Sequence, residues 1–183
     1  MQNDFCSDGY YMDRAGYDVG RLRRPISPIQ QVLAEARKTE MTIVFTRQYR
    51  PPGGRAVERD NSYPRISLKG EPGWEIVPEL SPMESEIVID KIASSAFVST
   101  DMNQLLKANE AETLVLCGNT IDVCVHSTLR SANDLGYKCI TLSDCCGAVN
   151  DDLHHWSLES IKVEDGVFGK VMSSQEFLHL LRT

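Results

Sequence analysis

Apolar residues fall along this chain in two alternating textures, short unbroken runs and longer stretches with apolar positions three or four apart. The runs are Met41-Thr-Ile-Val-Phe45, Glu86-Ile-Val-Ile-Asp-Lys91, Thr113-Leu-Val-Leu-Cys117, Lys138-Cys-Ile-Thr-Leu142 and Gly166-Val-Phe-Gly-Lys-Val-Met172. Runs this short and this apolar suit strands buried on both faces of a parallel sheet. Between them the period changes. Ser27-Pro28 opens a helix with Ile29, Val32, Leu33 and Ala36 on one stripe, Pro being well suited to a first helical position. Further helices follow: Thr100 to Lys107, a stretch from Val125 closed by Gly136, Asp151 to Ile161, and a terminal helix opened by the capping box Ser173-Ser-Gln-Glu176. Strands alternate with helices, and no internal repeat interrupts them. This predicts a single α/β domain over residues 1–183 with a mainly parallel sheet.

Three stretches lack either texture. Gly9 to Arg24 is polar and rich in Gly, Tyr, Asp and Arg, which predicts a loop over the sheet's edge. Residues 50–72 predict a long surface loop or lid, and Gly73 to Leu80 a short anchoring segment through Trp74, Ile76 and Leu80.

Charge narrows the partners. A net charge of −7 leaves no basic surface to hold phosphate backbones, so nucleic acid is excluded as the expected partner. No apolar run is long enough to cross a bilayer, no charged-then-apolar leader opens the chain, and no membrane partner is expected. Six cysteines lie partly in apolar runs and none forms a CxxC pair, which fits a reducing cytoplasm better than a disulfide framework or a zinc ribbon.

The candidate chemistry gathers at strand ends. Cys124 follows the Thr113–Cys117 run and Gly118, where a helix begins; first-turn N–H groups and the helix dipole favour a thiolate there. A buried structural cysteine would fit the same spacing. Lys91 closes another run, and an ammonium near Cys124 would lower the thiol's pKa.

Gly118-Asn-Thr-Ile-Asp-Val-Cys124-Val resembles the nucleophile motif of the isochorismatase-like cysteine hydrolases. The resemblance extends over Met1-Gln-Asn-Asp-Phe5, Gly70-Glu-Pro-Gly-Trp-Glu75, Asp90-Lys91, Asp144-Cys-Cys-Gly-Ala148 and Gly166-Val-Phe-Gly169. Several of these blocks are most similar to the biuret hydrolase and ureidoacrylate amidohydrolase branch. The family fold is a three-layer α/β/α arrangement of Rossmann-like topology. The resemblance implies Cys124 as nucleophile, Lys91 as its catalytic partner, and an oxyanion hole from the backbone N–H groups of Thr120 and Cys124, aimed by a cis Asn119–Thr120 peptide. It also implies a small carbamoyl or ureido amide as substrate and a homo-oligomer of this chain.

Candidate substrate-binding residues are Phe5, Arg47, Phe97, Asn119 and Glu164. Glu164 stands where a biuret-type enzyme is expected to carry an amide such as Gln; a carboxylate there favours a donor-rich or cationic ligand. In nicotinamidases the junction after the second family strand carries an Asp-x-His metal pair, but Gln48 and Arg50 stand at those positions here. No metal and no other cofactor is therefore expected. In the family a central strand ending in the general-base Asp directly precedes the segment that Met1 opens. That strand and acid are expected to be missing between the strands at 42–46 and 113–117, leaving the domain N-terminally incomplete and its activity impaired. The alternative is a non-catalytic family member serving as a ligand-binding or oligomer subunit. An isochorismatase proper, acting without Cys, fits Cys124 poorly.

Overall fold

The computed structural model describes residues 1–51 and 64–182. Short helices α1 (Asn3–Cys6), α2 (Tyr11–Arg14) and α3 (Val19–Arg23) precede the amphipathic α4 (Ile26–Ala36). Strand β1 (Val44–Gln48) leads to β2 (Ile87–Lys91), α5 (Met102–Ala108) and β3 (Thr113–Asn119). A π-helical turn, Ile121–Val125, runs directly into α6 (His126–Asp134). Then come β4 (Lys138–Gly147), α7 (Asp151–Gly166), β5 (Lys170–Met172) and α8 (Ser174–Arg182).

Among the described residues the paired strands run parallel. β1 pairs with β2, and β3, β4 and β5 form a second sheet in that order. Among the described residues no hydrogen-bonded strand joins β1 to β3. A cavity of about 400 Å³ runs between these two strands, from Met41 and Asn109 at one end to Gln48 and Cys124 at the other.

Alternation along the strands sets the layers, except that β4 shifts register opposite Leu116–Gly118 and so brings Leu142 and Cys145, three residues apart, to one face. On β4, Leu142 and Cys145 join a core with Leu22, Ile29 and Val32 on one side and Phe177 of α8. Cys139 and Cys146 of the same strand join Leu106, Leu129 and Ile161 on the other side. Helices thus cover both faces. Leu129 and Leu142 are fully buried, each contributing about 1.5–3 kcal/mol of apolar burial.

Several boundaries differ from those expected. Gly9 to Arg24 holds α2 and α3 rather than a loop, because Met12, Val19 and Leu22 turn inward and bury there. β1 is shifted toward its C-terminus, ending at Gln48 instead of Phe45; Thr46, Arg47 and Gln48 pair with Ile89, Asp90 and Lys91, since backbone pairing needs no apolar side chain. α7 continues past Ile161 across a non-helical break at Val163–Asp165, and the last strand is only Lys170–Met172. The capping box at α8 forms as expected: Glu176 Oε2 accepts from the Ser173 N–H at 2.7 Å and from its hydroxyl at 2.8 Å.

The N-terminal segment is tied to the sheet. Gln2 forms an antiparallel bridge with Ile76. Asp4 is fully buried and accepts from the Ser67 N–H at 2.6 Å and the Ser67 hydroxyl at 3.0 Å. No helix among the described residues is long and apolar enough to cross a membrane.

Candidate active site

Cys124 lies on the π-helical turn between β3 and α6, not on the first α-helical turn expected from the pattern. Single π turns occur often at functional sites because they re-aim one side chain without ending the helix. Here the turn presents a half-buried Cys124 to the cavity. The Thr128 hydroxyl, one turn later, donates to the Cys124 carbonyl at 2.7 Å. The Asn119–Thr120 peptide ahead of the turn is cis.

Lys91 ends β2 and is only 4% exposed, with its ammonium in the same cavity. It donates to the carbonyls of Ala93 and Ser94, both at 2.8 Å, and to Gln48 Oε1 at 3.3 Å. Burial pulls the lysine below its ordinary pKa, and the nearby Cys124 sulfur pulls it back up. Cys124 Sγ lies 3.2 Å from the same Gln48 oxygen. The Cys124 sulfur and the Lys91 ammonium therefore converge on one acceptor.

The remaining expected residues divide. Phe5, Phe97 and Asn119 line the cavity with Cys124 and Lys91. Phe5 is braced edge-on by Tyr11 at 6.0 Å, and Phe97 stacks on Tyr137 at 6.0 Å. Asn119 spends its amide nitrogen on the protein: Nδ2 donates to the Leu22 carbonyl at 2.6 Å and to Cys6 Sγ at 3.3 Å. Thr120 is buried beside the cavity without lining it.

Two candidates stand elsewhere. Arg47 does not line the cavity; its guanidinium stacks 3.6 Å over the Trp74 ring, pairs with Asp90 at 2.9 Å and reaches Glu75 at 3.4 Å. Alternation along β1 explains this, since Arg47 points opposite to Thr46 and Gln48. Glu164 is exposed at the break in α7, with φ +51°, and is not part of the cavity wall. Residues 52–63 of the expected loop or lid lie outside the described residues.

Gln48, weighed in the sequence only as a position for a metal ligand, lines the cavity, and so do Gln2 and Thr128, to which the sequence reading assigned no role. The junction after the strand pointed to Gln48, but only as a place for a metal ligand; its contact with Cys124 depends on the strand running on to Gln48. Glu40 is the one carboxylate among the cavity-lining residues, and it lies at the N-terminal end of β1, away from Cys124. No group of three or more His, Cys, Asp or Glu side chains suited to a metal ion is found among the described residues.

Residues 1–176 match the isochorismatase domain family. The ureidoacrylate amidohydrolase of Acinetobacter baylyi is 30% identical over 198 residues, spanning 98% of this chain and 80% of that protein. Two solved structures share the fold. A cysteine hydrolase from Pseudomonas syringae pv. phaseolicola superposes with a TM-score of 0.83 at 26% identity, covering 100% of this chain and 89% of that one. An isochorismatase-like hydrolase from Alkaliphilus metalliredigens gives a TM-score of 0.81 at 27% identity, covering 99% of this chain and 92% of that one.

Proposed function

Since this chain belongs to the isochorismatase domain family, we propose that it is a cysteine-dependent amidohydrolase acting on a small carbamoyl or ureido amide. The observation that carries this reading is the convergence of Cys124 Sγ and Lys91 Nζ on Gln48 Oε1, at 3.2 Å and 3.3 Å, in a cavity of small-molecule size. The similarity to a ureidoacrylate amidohydrolase supports the substrate class. Kinship with a structure described as a cysteine hydrolase supports the nucleophile.

The reaction runs in two halves. The Cys124 thiolate, balanced by the Lys91 ammonium, attacks the carbonyl carbon, and the backbone N–H groups of Thr120 and Cys124 receive the developing oxyanion. Collapse breaks the C–N bond; the nitrogen leaves as ammonia after gaining a proton, and a thioester remains. Water then attacks the thioester, releasing the acid and returning the thiol. Burial weakens the hold of Lys91 on its proton, which suits it to serve the leaving nitrogen. Among the described residues no carboxylate lines the Cys124 end, so in this reading the proton moves through Lys91 and water. That same feature favours a second reading, a family member that binds the ureido ligand without cleaving it. Phe5 and Phe97 give the ligand flat apolar walls. The reading places the protein in the cytoplasm as a homo-oligomer, with the 66%-exposed Trp156 of α7 and half-exposed Val123 as apolar surface for assembly.

The test is ammonia release from ureidoacrylate and biuret, with intact-mass detection of an acyl adduct on Cys124. Cys124→Ala is expected to reduce release to background. Release that survives this substitution overturns the cysteine mechanism, and tight binding with no release from the wild-type chain selects the second reading.

A further inference from the structure

Lys91 ends β2, Cys124 lies on the π-helical turn, and the two side chains are hydrogen-bonded to each other. The ammonium is held by the loop that follows it: the carbonyls of Ala93 and Ser94 each accept from it at 2.8 Å. That loop is in turn pinned to α6. The Ser95 hydroxyl donates to the Ser131 hydroxyl at 2.8 Å and accepts from the Phe97 N–H at 3.2 Å. The Ala96 N–H donates to the Thr128 hydroxyl at 3.1 Å.

Thr128 works in two directions. A backbone N–H only donates and a carbonyl only accepts, so the hydroxyl accepts from Ala96 and gives its own proton to the Cys124 carbonyl, at 2.7 Å. Accepting the first bond polarises the hydroxyl and strengthens the second. Ala96 is 1% exposed and lies outside every helix and strand, so neither solvent nor a ladder of backbone bonds is at hand to replace Thr128. Without this acceptor a buried donor is left unpaired, and the loop must shift to satisfy it. Such a shift carries the Ala93 and Ser94 carbonyls, and Lys91 with them, relative to Cys124.

We propose that Thr128 is a positioning residue whose hydroxyl bolts the loop holding Lys91 to the turn that carries Cys124, so that ammonium and sulfur keep one spacing. Ser95 and Ser131 hold the next stretch of the loop by a separate bond, which keeps the Phe97 wall in place when the Thr128 hydroxyl is lost. The hydroxyl therefore governs the reacting pair and not the binding of ligand. That last step rests on the amidohydrolase reading, but the bolt itself does not.

The test compares Thr128→Val, which keeps the shape and removes both bonds, with Thr128→Ser, which keeps a hydroxyl able to bond the carbonyl four residues back. Two readouts are taken: kcat and KM for ammonia release from ureidoacrylate, and hydrogen exchange of the Ala96 amide followed by NMR. In Thr128→Val, kcat is expected to fall by about tenfold or more while KM stays within about twofold of wild type. Exchange of the Ala96 amide should quicken by about tenfold or more in the same variant. Thr128→Ser should restore both readouts to within about threefold of wild type. If circular dichroism shows the valine variant unfolded, Thr128→Ala takes its place, differing from the serine variant by one oxygen atom. A role in packing alone gives the opposite ranking, with serine impaired and valine like wild type, and overturns the proposal. So does a valine or alanine variant in which Ala96 exchange is unchanged, or one in which kcat holds. If wild type releases no ammonia, the amidohydrolase reading fails by itself, and Ala96 exchange still decides whether the bolt exists.

Discussion

Gln2 grips Gln48 through both ends of its carboxamide: Nε2 donates to the Gln48 carbonyl at 2.8 Å, and Oε1 accepts from the Gln48 N–H at 2.7 Å. A second bond from Nε2 reaches the Trp74 carbonyl at 2.8 Å. A buried side chain here stands in for a strand, satisfying the end of β1 where it meets the cavity. Gln2→Ala leaves those backbone groups unpaired and is expected to cost about 1–3 kcal/mol of stability, read from urea unfolding. Because Gln48 loses its anchor, ammonia release should fall by more than ligand affinity does. Equal losses in both would show that Gln2 does not act through Gln48.

Lys91 carries a buried charge. Its pKa is lowered by burial, so over the interval from its folded value up to the ordinary 10.5 the unfolded chain holds a proton that the folded chain lacks. Stability therefore rises with pH through that interval, and the cost of the buried ammonium is fully present below it. Lys91→Met removes this dependence. The stability of wild type relative to the variant should improve as pH climbs toward 10.5, while the variant loses on the order of a hundredfold or more in ammonia release. A pH-independent difference between the two proteins would contradict the assignment.

Thiol reactivity separates the cysteines. Burial raises Cys139 to about 11 and raises Cys146 as well, and Cys145 is pushed up by the neighbouring Cys117 together with burial. In the folded protein near neutral pH, iodoacetamide should label Cys124 well ahead of Cys139, Cys145 and Cys146, with those three appearing only in denaturant. Labelling of Cys139 at the rate of Cys124 would mean that the candidate nucleophile has no special standing.

The core behind the π-helical turn is tested at Leu129. It is fully buried with Ile121, Val125 and Ile161 around it. Leu129→Ala is expected to destabilise by about 2–5 kcal/mol through lost burial and the cavity left behind. A cost under about 1 kcal/mol would indicate that α6 is not packed as described.

Acid sensitivity should trace partly to Arg37 and Glu86. The guanidinium holds Glu86 below its ordinary 4.5 through a bond of 2.7 Å. The stability this pair supplies is present above pH 4.5 and disappears as pH falls through the depressed folded value. Arg37→Met should cost on the order of 1 kcal/mol at neutral pH, with the difference from wild type shrinking in acid. A difference that persists below the folded pKa of Glu86 would place the cost in lost packing.

The alternation of apolar runs and 3.6-period stretches was enough to read an α/β chain with parallel strands, because each run carries its own burial signature. It also marked Cys124 and Lys91, which stand where apolar runs stop and chain direction changes. Contacts among side chains are another matter. Arg47 and Gln48 are adjacent and both polar in sequence, yet pleating sends one onto Trp74 and Asp90 and the other to Cys124. Glu164 read as a pocket residue by position, but the break at Val163–Asp165 leaves it in solvent. Gln48, Lys91 and Cys124 come from segments far apart along the chain, and their meeting depends on the register of β1 against β2 and on the π-helical turn after β3. Local periodicity records which face of an element is buried; which side chains share an atom is set by pairing between distant elements, and no single stretch of sequence contains that.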